Sequence, residues 1–383
     1  MGVYLSTAST SKQSAEGSLS GLRYGVSAMQ GWRKHMEDAH VAARIPGAGG
    51  ACMFGVFDGH GGEEVARFCE RRFVEQLPLA PGWEERDWGR VLHATFLRMD
   101  ELLADGVHAD EVASYKRRPP VHAPGSADGA NGPQDAAEVL RSMLELRRNS
   151  LAEAARTRGA PVTDQPAAPL VQAGCTAVVA VLDGSRLVVA NAGDSRAVLC
   201  RQGGAVDLSH DHRPTQPGEL ERITRAGGFV TAAGRVNGNL NLSRAIGDLR
   251  YKQASGLPAA EQAITAAPDV EVHEVQPGDE FLVVACDGVW DCKSSEEVVS
   301  FVRERLAMRP RPAVSQVVEE LLDDCLAKDP RETAGVGGDN MTCIVVLLEN
   351  ASNSSYEGSP SSPPTPTALP AMEAGAAPVV VSA

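Results

Sequence analysis

Short apolar runs separated by tight polar turns dominate the chain. ACMFGVF (51–57), TAVVAVL (176–182), RLVVANA (186–192), RAVLC (196–200), EFLVVAC (280–286) and TCIVVLL (342–348) have strand length and a β-type composition. The links Leu182-Asp183-Gly184-Ser185 and Ala192-Gly193-Asp194-Ser195 are tight, which predicts antiparallel hairpins rather than the crossovers that parallel strands need. Elsewhere a helical period takes over. Val65, Phe68, Cys69, Phe73 and Leu77 share one face over 63–77, and Val91, Leu92, Thr95, Phe96, Met99 and Leu102 share one over 88–103. A second amphipathic pair is predicted over 295–306 and 313–326. Two helices before most of the strands and two between the last strands predict an α+β fold. Its centre is a sandwich of two antiparallel β-sheets, flanked on each outer face by α-helices.

The pattern fails in three places. Residues 1–21 are rich in Ser, Thr and Gly without period and predict a flexible N-terminal segment. Residues 106–170 are dominated by Gly, Pro, Ala and Asp before a helical rhythm resumes through Val139, Leu140, Met143, Leu144 and Leu151. A structureless loop of that length is uncommon inside a compact domain, so this stretch reads as an insertion with a disordered half and a surface helix over 136–158. Residues 350–383 repeat Ser, Pro, Thr and Ala and predict a disordered tail. The folded domain then spans 22–349.

Composition narrows the function. Among 383 residues, 36 Lys and Arg face 50 Asp and Glu, a net charge of -14 that argues against a nucleic-acid partner. The eight cysteines form no CxxC pair and sit mostly in apolar runs, as expected of buried thiols in a reducing compartment. No apolar stretch approaches the roughly 18 residues of a membrane helix. A soluble, cytoplasmic chain is expected, with nuclear or peripheral membrane association left open. Met1-Gly2-Val3-Tyr4-Leu5-Ser6 fits the N-myristoylation pattern with Gly2 as acceptor, and one acyl chain gives only weak, reversible membrane binding.

Candidate chemistry lies where carboxylates meet glycine at strand ends. Asp58-Gly59-His60 follows the first run, Asp287-Gly288 follows the fifth, Gly338-Asp339-Asn340 precedes the last, and Glu37-Asp38 lies upstream of all three. One Asp-Gly pair is an ordinary turn. Several converging on one cleft would repel each other unless a cation offset them, and hard divalent ions such as Mg²⁺ or Mn²⁺ prefer oxygen ligands.

GWRKHMEDAH, FGVFDGHGG, AGCTAVVAVL, ANAGDSRAVLCR, HDHRPTQPGELERITRAGG, RVNGNLNLSRAIGD, VVACDGVWD and GGDNMTCIVV occur in that order. Together they resemble the type-2C metal-dependent serine/threonine protein phosphatases over about Leu22 to Leu348, outside the insertion. The resemblance implies two Mn²⁺ or Mg²⁺ ions, with Asp58 bridging both, the Gly59 carbonyl on one, and Asp287 and Asp339 on the other. It implies that Glu37 and Asp38 ligate metal or orient water, and that Asp194 and Asp291 serve a third, weaker ion. Arg33 is placed at the substrate phosphate and His60 as the general acid. The implied activity is hydrolysis of phosphoserine and phosphothreonine in proteins by metal-activated water, without a phosphoenzyme and by a monomer.

Rival readings are a catalytically inactive homologue acting as a regulatory binding module, and a hydrolase of small phosphoesters. His210 and His212 read as structural or as part of a substrate-facing flap, and Trp290 as packing. Cys325 and Arg331 have the spacing of a cysteine-dependent phosphatase loop. However, that loop lacks glycine, and Cys325 continues the apolar stripe of Val317, Val318, Leu321 and Leu322. Ser359-Pro360, Ser362-Pro363 and Thr365-Pro366 fit proline-directed phosphorylation or a merely solvating tail.

Overall fold

A computed structural model describes residues 4–116 and 171–348. The first segment contains β1 (Ser9–Leu19), β2 (Leu22–Gly31), β3 (Ala39–Arg44), β4 (Cys52–Phe57), β5 (Gly59–His60), α1 (Glu64–Gln76), α2 (Trp88–Ala104) and α3 (Ala109–Tyr115). The second opens with β6 (Gly174–Cys175), β7 (Ala177–Asp183), β8 (Arg186–Ala192), β9 (Arg196–Arg201), β10 (Gly204–Asp207), α4 (Pro217–Arg225) and β11 (Ile246–Gly247). It continues through β12 (Asp269–Glu274), β13 (Asp279–Ala285), α5 (Asp287–Trp290), α6 (Ser295–Ala307), α7 (Val314–Cys325) and β14 (Met341–Leu347). None of the described helices is long and apolar enough to cross a membrane.

Two antiparallel sheets, ordered β1-β2-β14-β13-β9-β10 and β12-β8-β7-β4-β3, form the sandwich that the sequence predicts. Side chains on a strand alternate between faces, and here both faces are covered. Leu282 and Val284 of β13 meet Phe54, Val56, Val178 and Ile344 between the sheets. Their neighbours Phe281, Val283 and Ala285 pack outward with Val302, Val317 and Leu321 of α6 and α7. Met53 and Phe57 of β4 likewise pack outward with Phe68, Phe73, Leu92 and Phe96 of α1 and α2. Two-sided burial is why these strands read as continuous apolar runs. Ser294 and Glu297 close a capping box at the start of α6, satisfying backbone donors that the first turn leaves without helical partners. At Gly25 of β2 a Cβ would fall 2.3 Å from the Ser315 nitrogen, so glycine lets α7 lie against the sheet backbone.

The N-terminal expectation is corrected. Ser9–Leu19 is not a flexible segment but the edge strand β1, paired with β2 from Ser9↔Gly31 to Leu19↔Leu22. Ser20 and Gly21, with φ of 51° and 85°, make the tight hairpin turn between them. The strand escapes an apolar search because it needs no buried face: backbone pairing holds it, assisted by Lys12 Nζ on Asp323 at 2.6 Å. Ala109–Tyr115, which fall in the stretch read as an insertion, form α3 on α1, where Glu111 receives the Arg72 guanidinium at 2.8 and 3.0 Å. Gly2, the helix expected near 136–158 and the tail lie outside the described residues.

Candidate metal centre

Antiparallel pairing gathers the acids. The start of β3 lies beside the end of β4 (Ala39↔Phe57), and the start of β14 lies beside the end of β13 (Cys343↔Ala285). Asp38 and Asp58 therefore flank one rim of the sandwich from one sheet, and Asp287 and Asp339 from the other. The Ala285↔Arg196 pair brings the β8–β9 turn, with Asp194, to the same end.

Asp38 is 2% exposed, and its Oδ2 accepts hydrogen bonds from Thr342 Oγ1 at 2.7 Å and Cys286 Sγ at 3.5 Å. Its Oδ1 is buried with no hydrogen-bond partner. Candidate ligand atoms of Asp38, Asp58 and Cys286 lie within 4.8 Å of one another. Burial, then the charges of Asp38, Asp287, Asp339 and Asp194, push the Asp58 carboxyl well above its ordinary range. Asp287 is pushed up by burial and by Asp194, Asp339 and Asp291. Burial raises Asp38 to about 7 against the Thr342 hydrogen bond, and raises Asp194 to about 7 against the Arg213 charge. Glu37 is also raised, chiefly by burial.

A buried carboxylate oxygen without a partner, among acids that repel one another, is the signature of a site shaped for cations. Oxygen donors suit Mg²⁺ or Mn²⁺. Cys286 leaves that character intact, because burial and the adjacent Asp38 and Asp58 charges push its pKa well up and keep it a thiol.

The surrounding backbone is fixed closely. Thr176 N donates to the Asp58 carbonyl at 2.9 Å, and β5 pairs with β6 through Gly59↔Cys175. At Gly59 a Cβ would lie 2.2 Å from the Glu37 carbonyl oxygen, so only glycine admits the Glu37 loop. Asn340, the residue before β14, clamps that loop: its Oδ1 accepts from Glu37 N at 2.9 Å, and its Nδ2 donates to Gln30 O at 2.8 Å and His35 O at 2.9 Å. Arg33 stands exposed at the rim and pairs with Asp339. His60 Nε2 lies 2.6 Å from Asp248 Oδ2.

Asp194 and Asp291 reach the same end of the sandwich, but their surroundings differ. Asp194 is buried, whereas Asp291 is exposed and sits 3.7 Å from Arg213. His212 is structural, with Nδ1 accepting from Gly193 N at 3.2 Å and Nε2 2.9 Å from Asp269. Trp290 packs, donating Nε1–H to Ala285 O at 2.8 Å. Cys325 is buried against Cys292, and both that contact and burial drive its pKa far up, so it offers no thiolate. Asn340, Thr342, Cys286 and Asp248 are site residues that the sequence did not single out. All lie inside quoted motifs, but their roles rest on contacts 188 to 304 positions away in sequence.

The family model for Protein phosphatase 2C matches residues 22–117 and 128–333, which include Arg33, Glu37, Asp38, Asp58, His60, Asp194, Asp287 and Asp291. "Probable protein phosphatase 2C 60" of Arabidopsis thaliana is 42% identical over 369 residues, covering 94% of this chain and 96% of that one. "Probable protein phosphatase 2C 3" of Paramecium tetraurelia is 40% identical over 351 residues, covering 91% of this chain and 100% of its own. The crystal structure of a serine-threonine phosphatase 2C from Toxoplasma gondii superposes with a TM-score of 0.59 at 20% identity, covering 90% of this chain and 98% of that one, a likeness of fold. Sequence kinship across nearly the whole length, joined to a rim of converging acids, places this chain in the protein phosphatase 2C family of metal-dependent protein phosphatases.

Proposed function

We propose that the chain is an active phosphatase that hydrolyses phosphoserine and phosphothreonine in proteins by direct attack of water, acting as a monomer. The observation that carries this reading is the partnerless Asp38 Oδ1 inside a cluster of mutually repelling carboxyls. Asp58, the Gly59 carbonyl, Asp287 and Asp339 would hold two Mn²⁺ or Mg²⁺ ions, and Asp194 and Asp291 a third, weaker one. Bound there, divalent ions supply Lewis acidity and offset the charge of the phosphoryl group.

The protein's own groups then divide the work. Glu37 and Asp38 orient the attacking water. Arg33, exposed beside Asp339, turns its planar fork of donors onto two phosphate oxygens. As the water oxygen bonds phosphorus, the ester P–O bond breaks with its electron pair on the Ser or Thr oxygen, and His60 supplies the proton that this oxygen takes up. An inactive binding module would not need this set of acids; it is favoured by nothing in the site. Gly2 acylation would add a reversible membrane tether, which Gly2→Ala should release to the soluble fraction.

The test is hydrolysis of a phosphothreonine peptide with Mn²⁺. Activity should vanish with EDTA, return with Mn²⁺ and survive iodoacetamide. Activity that persists in EDTA, or that is lost on thiol alkylation, would overturn the proposal.

A further inference from the structure

Beside the carboxylate cluster, one buried acid faces the histidine instead. Asp248 is 1% exposed, and its Oδ2 lies 2.6 Å from His60 Nε2 across 188 positions of sequence. Three features fix it there. Its own nitrogen donates to Ala173 O at 3.0 Å, and the preceding Gly247 N donates to Asp100 Oδ1 at 2.7 Å. Lys252 pairs with the same Asp100 and donates to Ala245 O at 2.7 Å, closing a buried brace around β11. Asp248 itself adopts φ 50°, in the left-handed region that residues other than glycine seldom occupy. A side chain at Gly174 would destroy the pair, since a Cβ there would fall 2.5 Å from Asp248 Oδ2 and 2.7 Å from His60 Nε2.

A carboxylate that accepts one ring N–H fixes both the orientation and the tautomer of an imidazole. Strained backbone held by buried braces is found where geometry serves chemistry. We propose that Asp248 is a positioning residue: it accepts a hydrogen bond from Nε2–H of His60 and leaves Nδ1 as the nitrogen that gives its proton to the departing Ser or Thr oxygen. This rests on the reading of His60 as the proton donor. It adds a second task for the segment that follows the HDHRP motif, since the loop carrying Asp248 also packs Ala245 and Tyr251 into the small apolar cluster of Ile223, Val236 and Ile264.

The experiment compares two substrates on Mn²⁺-loaded enzyme: a phosphothreonine peptide, whose alkoxide needs a proton, and an aryl phosphate with a strongly acidic phenol, which leaves without one. Two variants are used because both tolerate φ 50°: Asp248→Asn keeps the shape, and Asp248→Gly deletes the carboxylate. Each should lower kcat on the peptide about 10–100-fold, as lost orienting partners do, with KM unchanged and little loss on the aryl phosphate. His60→Ala should show the same split, and Asp248→Asn/His60→Ala should be no slower than His60→Ala. In EDTA-treated protein, the downfield imidazole N–H proton resonance that His60→Ala removes should also be lost in Asp248→Gly. Equal losses on both substrates, additive losses in the double variant, or a surviving resonance in Asp248→Gly would overturn the assignment. If His60→Ala shows no split, the proton-donor reading falls with it; if His60→Ala splits and the Asp248 variants do not, only the role of Asp248 falls.

Discussion

The middle of the sandwich and its acidic rim are built from the same strands but obey opposite rules. At the middle, Phe54, Val284 and Ile344 remove apolar surface from water with no polar atom among them. A few residues farther along, β13 runs into Asp287 and β4 into Asp58, while Asp339 lies just before the start of β14. There, burial opposes the charge that the site needs. The middle stabilises the fold, whereas the rim costs stability until cations arrive. A rigid apolar frame is what lets so unfavourable a cluster persist, because the acids cannot relax apart.

Exchanging one residue in each region should separate the two effects most sharply. Asp58→Asn should lower kcat by about 10³-fold or more, a loss of several kcal/mol of transition-state stabilisation. In EDTA the same change should raise the melting temperature, because it removes one of the repelling charges. A melting temperature unchanged or lowered in EDTA would break the contrast. Phe54→Ala should do the reverse, costing about 3–5 kcal/mol in urea unfolding while leaving kcat per folded molecule intact.

Arg33 tests the outer lip of the rim. Arg33→Ala should raise KM for the phosphopeptide about 10-fold, the worth of one charge-assisted contact, with a smaller change in kcat. An unchanged KM would remove it from phosphate binding.

The pH dependence of stability in EDTA offers a finer comparison. Asp38 and Asp194, held near 7, keep protons in the fold that the unfolded chain releases near pH 4. Stability should therefore fall as pH rises from about 4 to 7. Glu219 runs the other way. Burial raises it, but hydrogen bonds from Arg222 and Arg244 outweigh burial and hold it at about 2. Its contribution is present above the ordinary glutamate value and is lost as pH falls toward 2. Asp38→Asn should flatten the upper limb and Glu219→Gln the lower; failure of either to alter its own limb contradicts the corresponding environment. Smallest of all, Cys325→Ser should leave kcat unchanged, since that thiol is buried in the apolar cluster with Val317, Val318, Leu321 and Leu322.

Legibility in the sequence followed the same division. β4, β13 and β14 announced themselves because both faces are apolar, and α1 and α2 because one face is. β1 stayed hidden because an edge strand with mostly exposed side chains has no apolar period. The acids at the rim could be found because each adjoins glycine at the end of a legible strand. Asp248 could not: an aspartate after glycine looks like a turn, and only the folded chain brings it to His60. Asn340 was read as a neighbour of Asp339, although its amide is what ties the Arg33–Glu37 loop to β14.

Equilibrium Mn²⁺ binding, followed by the loss of the free-ion paramagnetic resonance signal, addresses the acidic rim without relying on turnover. The wild-type chain should take up two ions tightly, with a third at higher concentration, and Asp58→Asn should lose the tight pair while remaining folded. Tight uptake undiminished in folded Asp58→Asn, or no tight uptake by the wild-type chain, would contradict a cation pair gripped by these acids.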